Sequence, residues 1–226
     1  MRLRLIYCFL TLFIFIGQAS GNEEPLHPFV KFARESDVWI IPDSAHGNEA
    51  VLKEQLELMT AIKNADPHYH CLFLEVDRRV TPMFNAFFSG ATYEEAFGAW
   101  LKEMKARMQS DFMNVMPEWY LERAHEMQFQ IYGADVDWSS EEGERIAEAV
   151  KIFRTEKDKA KRMEALELVS GRRNEIIGEY VLEHMRSGAC KKSVLVIGDG
   201  HLAPTRNHPA IQMVIGREFK VFPPFF

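Results

Sequence analysis

The sequence predicts an α/β fold: a largely parallel central sheet flanked by helices, with a helical insertion between the second and third strands. Three observations lead there. Four short apolar runs, at 38–41, 71–76, 129–132 and 193–197, have the length and bulk of buried strands. Stretches of helical periodicity separate them, and strands that alternate with helices form layered, mainly parallel sheets. No internal repeat, low-complexity run or long linker interrupts residues 22–226, so they read as one domain.

Taken in order, the first 21 residues, "MRLRLIYCFLTLFIFIGQASG", carry two arginines, an apolar run and then small residues. This is the layout of a secretory signal peptide, so the sequence predicts export to a periplasm or the exterior. The apolar run is shorter than the ~20 residues a membrane-spanning helix needs, and no later stretch is long enough. After strand 38–41 comes a helical pattern at 48–64, with apolar residues at 51, 52, 56, 58, 59 and 62. The insertion, about 80–128, is rich in Met, Phe and Trp. It reads as a helical layer, or as a lid over a pocket. Within it, 93–109 carries Phe97, Trp100, Leu101, Met104 and Met108, and Pro117 marks a helix start at 117–128. "SSEEGE" opens a helix at 140–153 with a serine cap followed by acids. A long helix is expected over 162–186. Weaker apolar runs at 212–215 and 219–222 read as a fifth and a sixth strand. The apolar terminus "VFPPFF" is expected to dock on its own domain.

The formal net charge is −6, and it becomes −8 once Arg2 and Arg4 leave with the signal peptide. That balance argues against nucleic acid as the main partner. It leaves a small molecule or a peptide as the expected substrate, with oligomeric state open. Cys71 and Cys190 each open a strand-like run. They form a disulfide if those strands are neighbours, and otherwise stay two buried thiols.

In open α/β sheets, ligands bind beyond the carboxyl ends of the strands. There the chain places "PDSAHG" with Asp43 and His46, "LFLEVD" with Glu75 and Asp77, "YGADVDW" with Asp135 and Asp137, and "VIGDGHL" with Asp199 and His201. Two histidines and several carboxylates at the ends of one sheet converge on one cleft. The set suits a metal site, since imidazole nitrogen and carboxylate oxygen ligate zinc, manganese and iron. It equally suits metal-free acid–base chemistry. Asp135 and Asp137 are expected to cap the helix that follows, and Asp199 reads as a turn residue. His68 and His70, at i and i+2, lie at the amino end of their strand, away from the cleft. His27, His125, His184 and His208 stand without supporting context. Just before the fourth strand, "RRNEIIGEYVLEHM" offers Arg173 and Asn174 on a helix. They suit a carboxylate or phosphate on the substrate, or a grip on Glu75; a plain solvated face is the alternative.

These motifs together resemble the superfamily that joins erythromycin esterases, ChaN-type haem-binding proteins and TraB/Tiki proteins. "PDSAHG" is similar to the esterase-like GExxHG motif, with Pro42 and Asp43 in place of glycine and glutamate. "FLEVD" resembles the strand that ends in a site glutamate. "RRNEIIGEYVLEHM" resembles the helix motif of the ChaN-like branch, and "VIGDGHLAP" the late GxGHL motif. The resemblance implies a cleft of His46, Glu75, Arg173, Asn174 and His201, with Asp43 beside them. In the esterase-like branch the first histidine is a general base on water. In the Tiki-like branch His46, Glu75 and His201 hold a divalent transition metal such as zinc, manganese or cobalt. In the ChaN-like branch the protein binds haem or another ligand in iron uptake, for which Tyr69 and Met83 are the candidate haem ligands. An exported, esterase-like or metal-dependent hydrolase is the leading expectation, and ChaN-like binding the alternative.

Overall fold

The structure is a computed structural model and describes residues 28–108 and 116–223. The predicted signal peptide lies outside the described residues. Among those residues, no helix is long and apolar enough to cross a membrane.

Helix α1 (Pro28–Glu35) leads into β1 (Val38–Asp43), α2 (Glu49–Ala65) and β2 (Tyr69–Asp77). The described residues of the insertion supply a 3-10 turn at Arg78–Val80 and the helices α3 (Thr81–Phe88), α4 (Tyr93–Met108) and α5 (Glu118–Glu126). There follow β3 (Gln130–Asp135), α6 (Glu141–Thr155), α7 (Lys159–Leu166), a widened helical turn at Glu167–Arg172, and α8 (Arg173–Arg186). Then come β4 (Lys192–Gly198), a short turn at Asp199–Leu202, α9 (Ile211–Ile215) and β5 (Val221–Phe222). Among the described residues, five strands lie in the order β3-β2-β4-β1-β5, all parallel.

Successive residues of a strand face opposite sides of its sheet. Trp39 and Ile41 of β1, Leu72 and Leu74 of β2, and Val194 and Val196 of β4 therefore share one face. They pack there with Leu52, Met59 and Ile62 of α2 and with Phe84, Phe97, Trp100, Met104 and Tyr120 of the insertion. Val38 and Ile40, Phe73, and Leu195 and Ile197 point the other way, onto Ile177, Val181 and Leu182 of α8 and Ile211, Val214 and Ile215 of α9. The insertion is thus a helical layer of the sandwich.

Two expectations about the chain's end change. Residues 212–215 form a helix: Ile211, Val214 and Ile215, spaced three and four apart, are its buried stripe. They lie so close to α8 that a Cβ on Gly178 would come 2.5 Å from Val214 Cγ1. The sixth strand is the observed fifth, and its two residues pair with β1. Phe222 lies 4.1 Å, centroid to centroid, from Trp39, so this part of the terminus docks on its own domain. The expected long helix is divided by the widened turn at Glu167–Arg172. Strands β2 and β4 are neighbours, and Cys71 and Cys190 form a disulfide at their amino ends.

Candidate functional site

The carboxyl ends of four adjacent strands meet on one rim of the sheet. Asp43 closes β1, Glu75 lies near the end of β2, Asp135 closes β3, and Gly198 closes β4, in register with Asp43. The turn after β1 carries His46. Gly47 takes the left-handed conformation (φ 74°), which a residue without Cβ adopts at no steric cost, and Asn48 then caps α2 through Ala50 N and Val51 N. This folds the His46 ring back, with Nδ1 2.6 Å from Asp43 Oδ2.

The pair is asymmetric. The Asp43 side chain is 4% exposed and that of His46 49%. The Asp43 hydrogen bond, with the charges of Glu75 and Asp43, raises the His46 pKa above its ordinary 6.5, against burial and Arg173, which lower it. A raised folded-state value means the contact stabilises the fold below pH 6.5, and this contribution is lost as pH rises through the folded pKa. In an NMR titration the His46 Cε1 proton is expected to turn over above pH 6.5, and Asp43→Asn to lower that midpoint. A midpoint unmoved by Asp43→Asn would contradict the pairing.

Glu75 is the hub of a second, buried group. Its Oε1 accepts from Arg173 Nη2 at 2.7 Å and faces His201 Nε2 at 3.1 Å; its Oε2 accepts from the Gly198 N–H at 2.6 Å. Arg173 also grips Asp135 through Nε (3.0 Å) and Nη2 (2.6 Å), and lies over the Trp138 ring. Burial alone would raise the Glu75 pKa, but the charges of His201 and Arg173 and the hydrogen bonds hold it well below the usual carboxylate range. Burial opposes the charge on Arg173 as well, and Asp135 and Glu75 more than offset it.

Asn174 orients His201. Its amide nitrogen donates to Pro209 O at 3.0 Å, so its Oδ1 accepts from His201 Nδ1 at 2.6 Å. His201 Nε2 is thereby aimed at Glu75. The two groups meet at Gly198, where a Cβ would come 3.1 Å from Glu75 Oε2 and 3.1 Å from His46 Nε2.

All six site residues named from the sequence, Asp43, His46, Glu75, Arg173, Asn174 and His201, are brought together. Their tasks differ from some expectations. Arg173 is committed to Glu75 and Asp135, so it is not presented to a substrate carboxylate. Asp135, expected to cap a helix, is instead the bidentate partner of Arg173; Ser140 caps α6 through Gly143 N. Its position at a strand end was the signal that could have found it. Asp137, also expected to cap that helix, does not do so either: it lies in the turn before α6 and accepts from Ser139 N at 2.8 Å. Asp77 is fully buried and anchors the insertion through Arg79 and the Trp100 indole. Asp199 adjoins the site, and burial followed by the Asp43 charge raises its pKa. His68 and His70 sit at the far end of β2, bonded to Asp66 and to the carbonyls of His68 and Ala189.

A metal held by His46, Glu75 and His201 does not fit this arrangement. Both Glu75 oxygens already accept protein hydrogen bonds, and the Arg173 guanidinium, 2.7 Å from Glu75 Oε1, already supplies a positive charge beside that carboxylate. Among the described residues, no group of three or more His, Cys, Asp or Glu side chains is gathered to hold a metal ion. Nor do the candidate haem ligands fit. Tyr69 is fully buried, with its hydroxyl 3.0 Å from Ala33 O and 2.9 Å from Ser36 O. Met83 packs against the core.

Fold and site together define a parallel α/β protein with a half-open carboxylate–imidazole pair beside a buried ion network. No protein-family model matches the chain, and no curated protein matches it. Among solved structures it is similar to that of the type III effector HopBA1, with 19% sequence identity and a TM-score of 0.46, covering 76% of this chain and 71% of that one.

Proposed function

We propose that the protein is an exported, metal-independent hydrolase of ester or amide bonds in small-molecule or peptide substrates, with His46 as its general base. One observation carries this reading: the Asp43–His46 pair leaves an accessible imidazole at the cleft, while Glu75 and Arg173 beside it are consumed by contacts within the protein. Asp43 fixes His46 with Nδ1 as the hydrogen-bearing nitrogen and steadies the imidazolium that forms, as a carboxylate does behind a catalytic histidine. His46 Nε2 takes a proton from water as the water oxygen bonds to the carbonyl carbon. It returns that proton to the leaving oxygen or nitrogen as the old bond breaks. The network of Glu75, Arg173, Asp135, Asn174 and His201 holds the strand ends in place.

The test is a panel of nitrophenyl esters and peptide anilides assayed with a chelator present. Turnover by the wild type, with a roughly 100-fold or greater loss in His46→Ala, is expected from the usual weight of general-base catalysis. Equal turnover by the variant would overturn the assignment.

A further inference from the structure

His201 enters the cleft from the turn after β4, and the chain then runs through 203–210 with few buried side chains to fix it. The grip comes from the widened turn between α7 and α8. The Glu167 carboxylate accepts three hydrogen bonds from this loop: Thr205 Oγ1 at 2.8 Å, Arg206 N at 2.9 Å and Asn207 N at 3.0 Å. Gly171, in the same turn, lies against the loop, and a Cβ there would come 2.5 Å from Thr205 Oγ1 and 2.7 Å from His208 Cδ2. One turn on, Glu175 Oε1 meets His208 Nδ1 at 3.0 Å. Asn174 completes the series, joining Pro209 O and His201 Nδ1 through one amide. Widened turns of this kind inside helices are frequently found at functional sites. Here the turn and the residues after it present Glu167, Gly171, Asn174 and Glu175 to one loop.

We infer that Glu167 is a positioning residue of the cleft: by clamping loop 203–209 it sets where Pro209 O lies, and so how Asn174 presents its oxygen to His201. A charged acceptor of three donors is among the stronger polar contacts a loop can have. Glutamine at 167 keeps a single acceptor oxygen and turns an N–H₂ group towards donors, so part of the clamp is lost. The effect passes along the loop to the imidazole and leaves the Asp43–His46 pair untouched.

This inference rests on the hydrolase reading for its purpose, but its test does not use activity. In 15N-histidine NMR of the full chain, wild type is expected to show a protected Nδ1–H signal for His201. Glu167→Gln is expected to shift that resonance and to lose its protection from solvent exchange, with the His46 resonance unchanged. Thr205→Val removes one of the three bonds to Glu167, together with the 3.3 Å bond from His208 N to Thr205 Oγ1, without touching the helix. It is expected to give a smaller shift in the same direction, and it serves if Glu167→Gln does not fold. A His201 resonance unchanged in a folded variant would overturn the inference and leave the hydrolase reading standing. A nitrophenyl-ester assay that fails in wild type while the NMR shift appears would do the reverse.

Discussion

Replacing Arg173 with methionine is expected to produce the largest loss of stability of any single substitution at the cleft. The side chains of Arg173, Glu75 and Asp135 are 11%, 13% and 4% exposed. Removing the guanidinium leaves two carboxylates buried on one rim with their shared counter-charge gone. Breaking a buried ion pair in this way costs about 3–5 kcal/mol, because the surviving charges lose their partner while staying out of water. For a chain of this size that corresponds to a fall in Tm on the order of 10 °C by calorimetry. Adding Glu75→Gln and Asp135→Asn to Arg173→Met is expected to recover part of the loss, since the orphaned charges then disappear. A single variant as stable as the wild type would show that the network is not the closed ion cluster described.

Opening the disulfide is the second large effect. Cys71 and Cys190 are 119 residues apart, and their cross-link joins neighbouring strands at the end of the sheet away from the cleft. On the chain-entropy account, a closed loop of that length contributes up to about 5 kcal/mol by restricting the unfolded chain. Denaturant unfolding of Cys71→Ser/Cys190→Ser is therefore expected to show a lower midpoint, and a reductant to have the same effect on the wild type alone. A reductant with no effect on the wild-type midpoint would show two separate thiols.

The cleft was legible because buried strands carry little polar character except at their ends. Asp43, Glu75 and His201 stand out against apolar runs, and the glycines at 47 and 198 mark where the chain turns or comes close. What could not be read is how the acids are shared. Asp135 sits where an acid serves equally as a helix cap or as an ion partner, and its partner lies 38 residues on. Arg172 and Arg173 are adjacent and chemically identical. Arg172 turns outward to Glu142 and Glu175, while Arg173 turns in. The saturation of Glu75 depends on a backbone N–H, that of Gly198, which no residue type announces. Residues 212–215 read as a strand in the sequence because a four-residue apolar run carries no period, and only its packing against α8 decides for a helix. The contacts of Glu167, like those of Glu75, are not legible in the sequence, because two of its three donors are backbone groups.

The central claim is that Asp43 and His46 form the working base of the cleft, and the pH dependence of hydrolysis in the presence of chelator tests it most directly. The account predicts a rate that rises with pH through an inflection above 6.5, because His46 must lose its proton to act and Asp43 holds that proton on. It predicts that Asp43→Asn moves the inflection down and lowers the plateau by roughly 100-fold or more. A rate abolished by the chelator, or a profile identical in the wild type and Asp43→Asn, would contradict it.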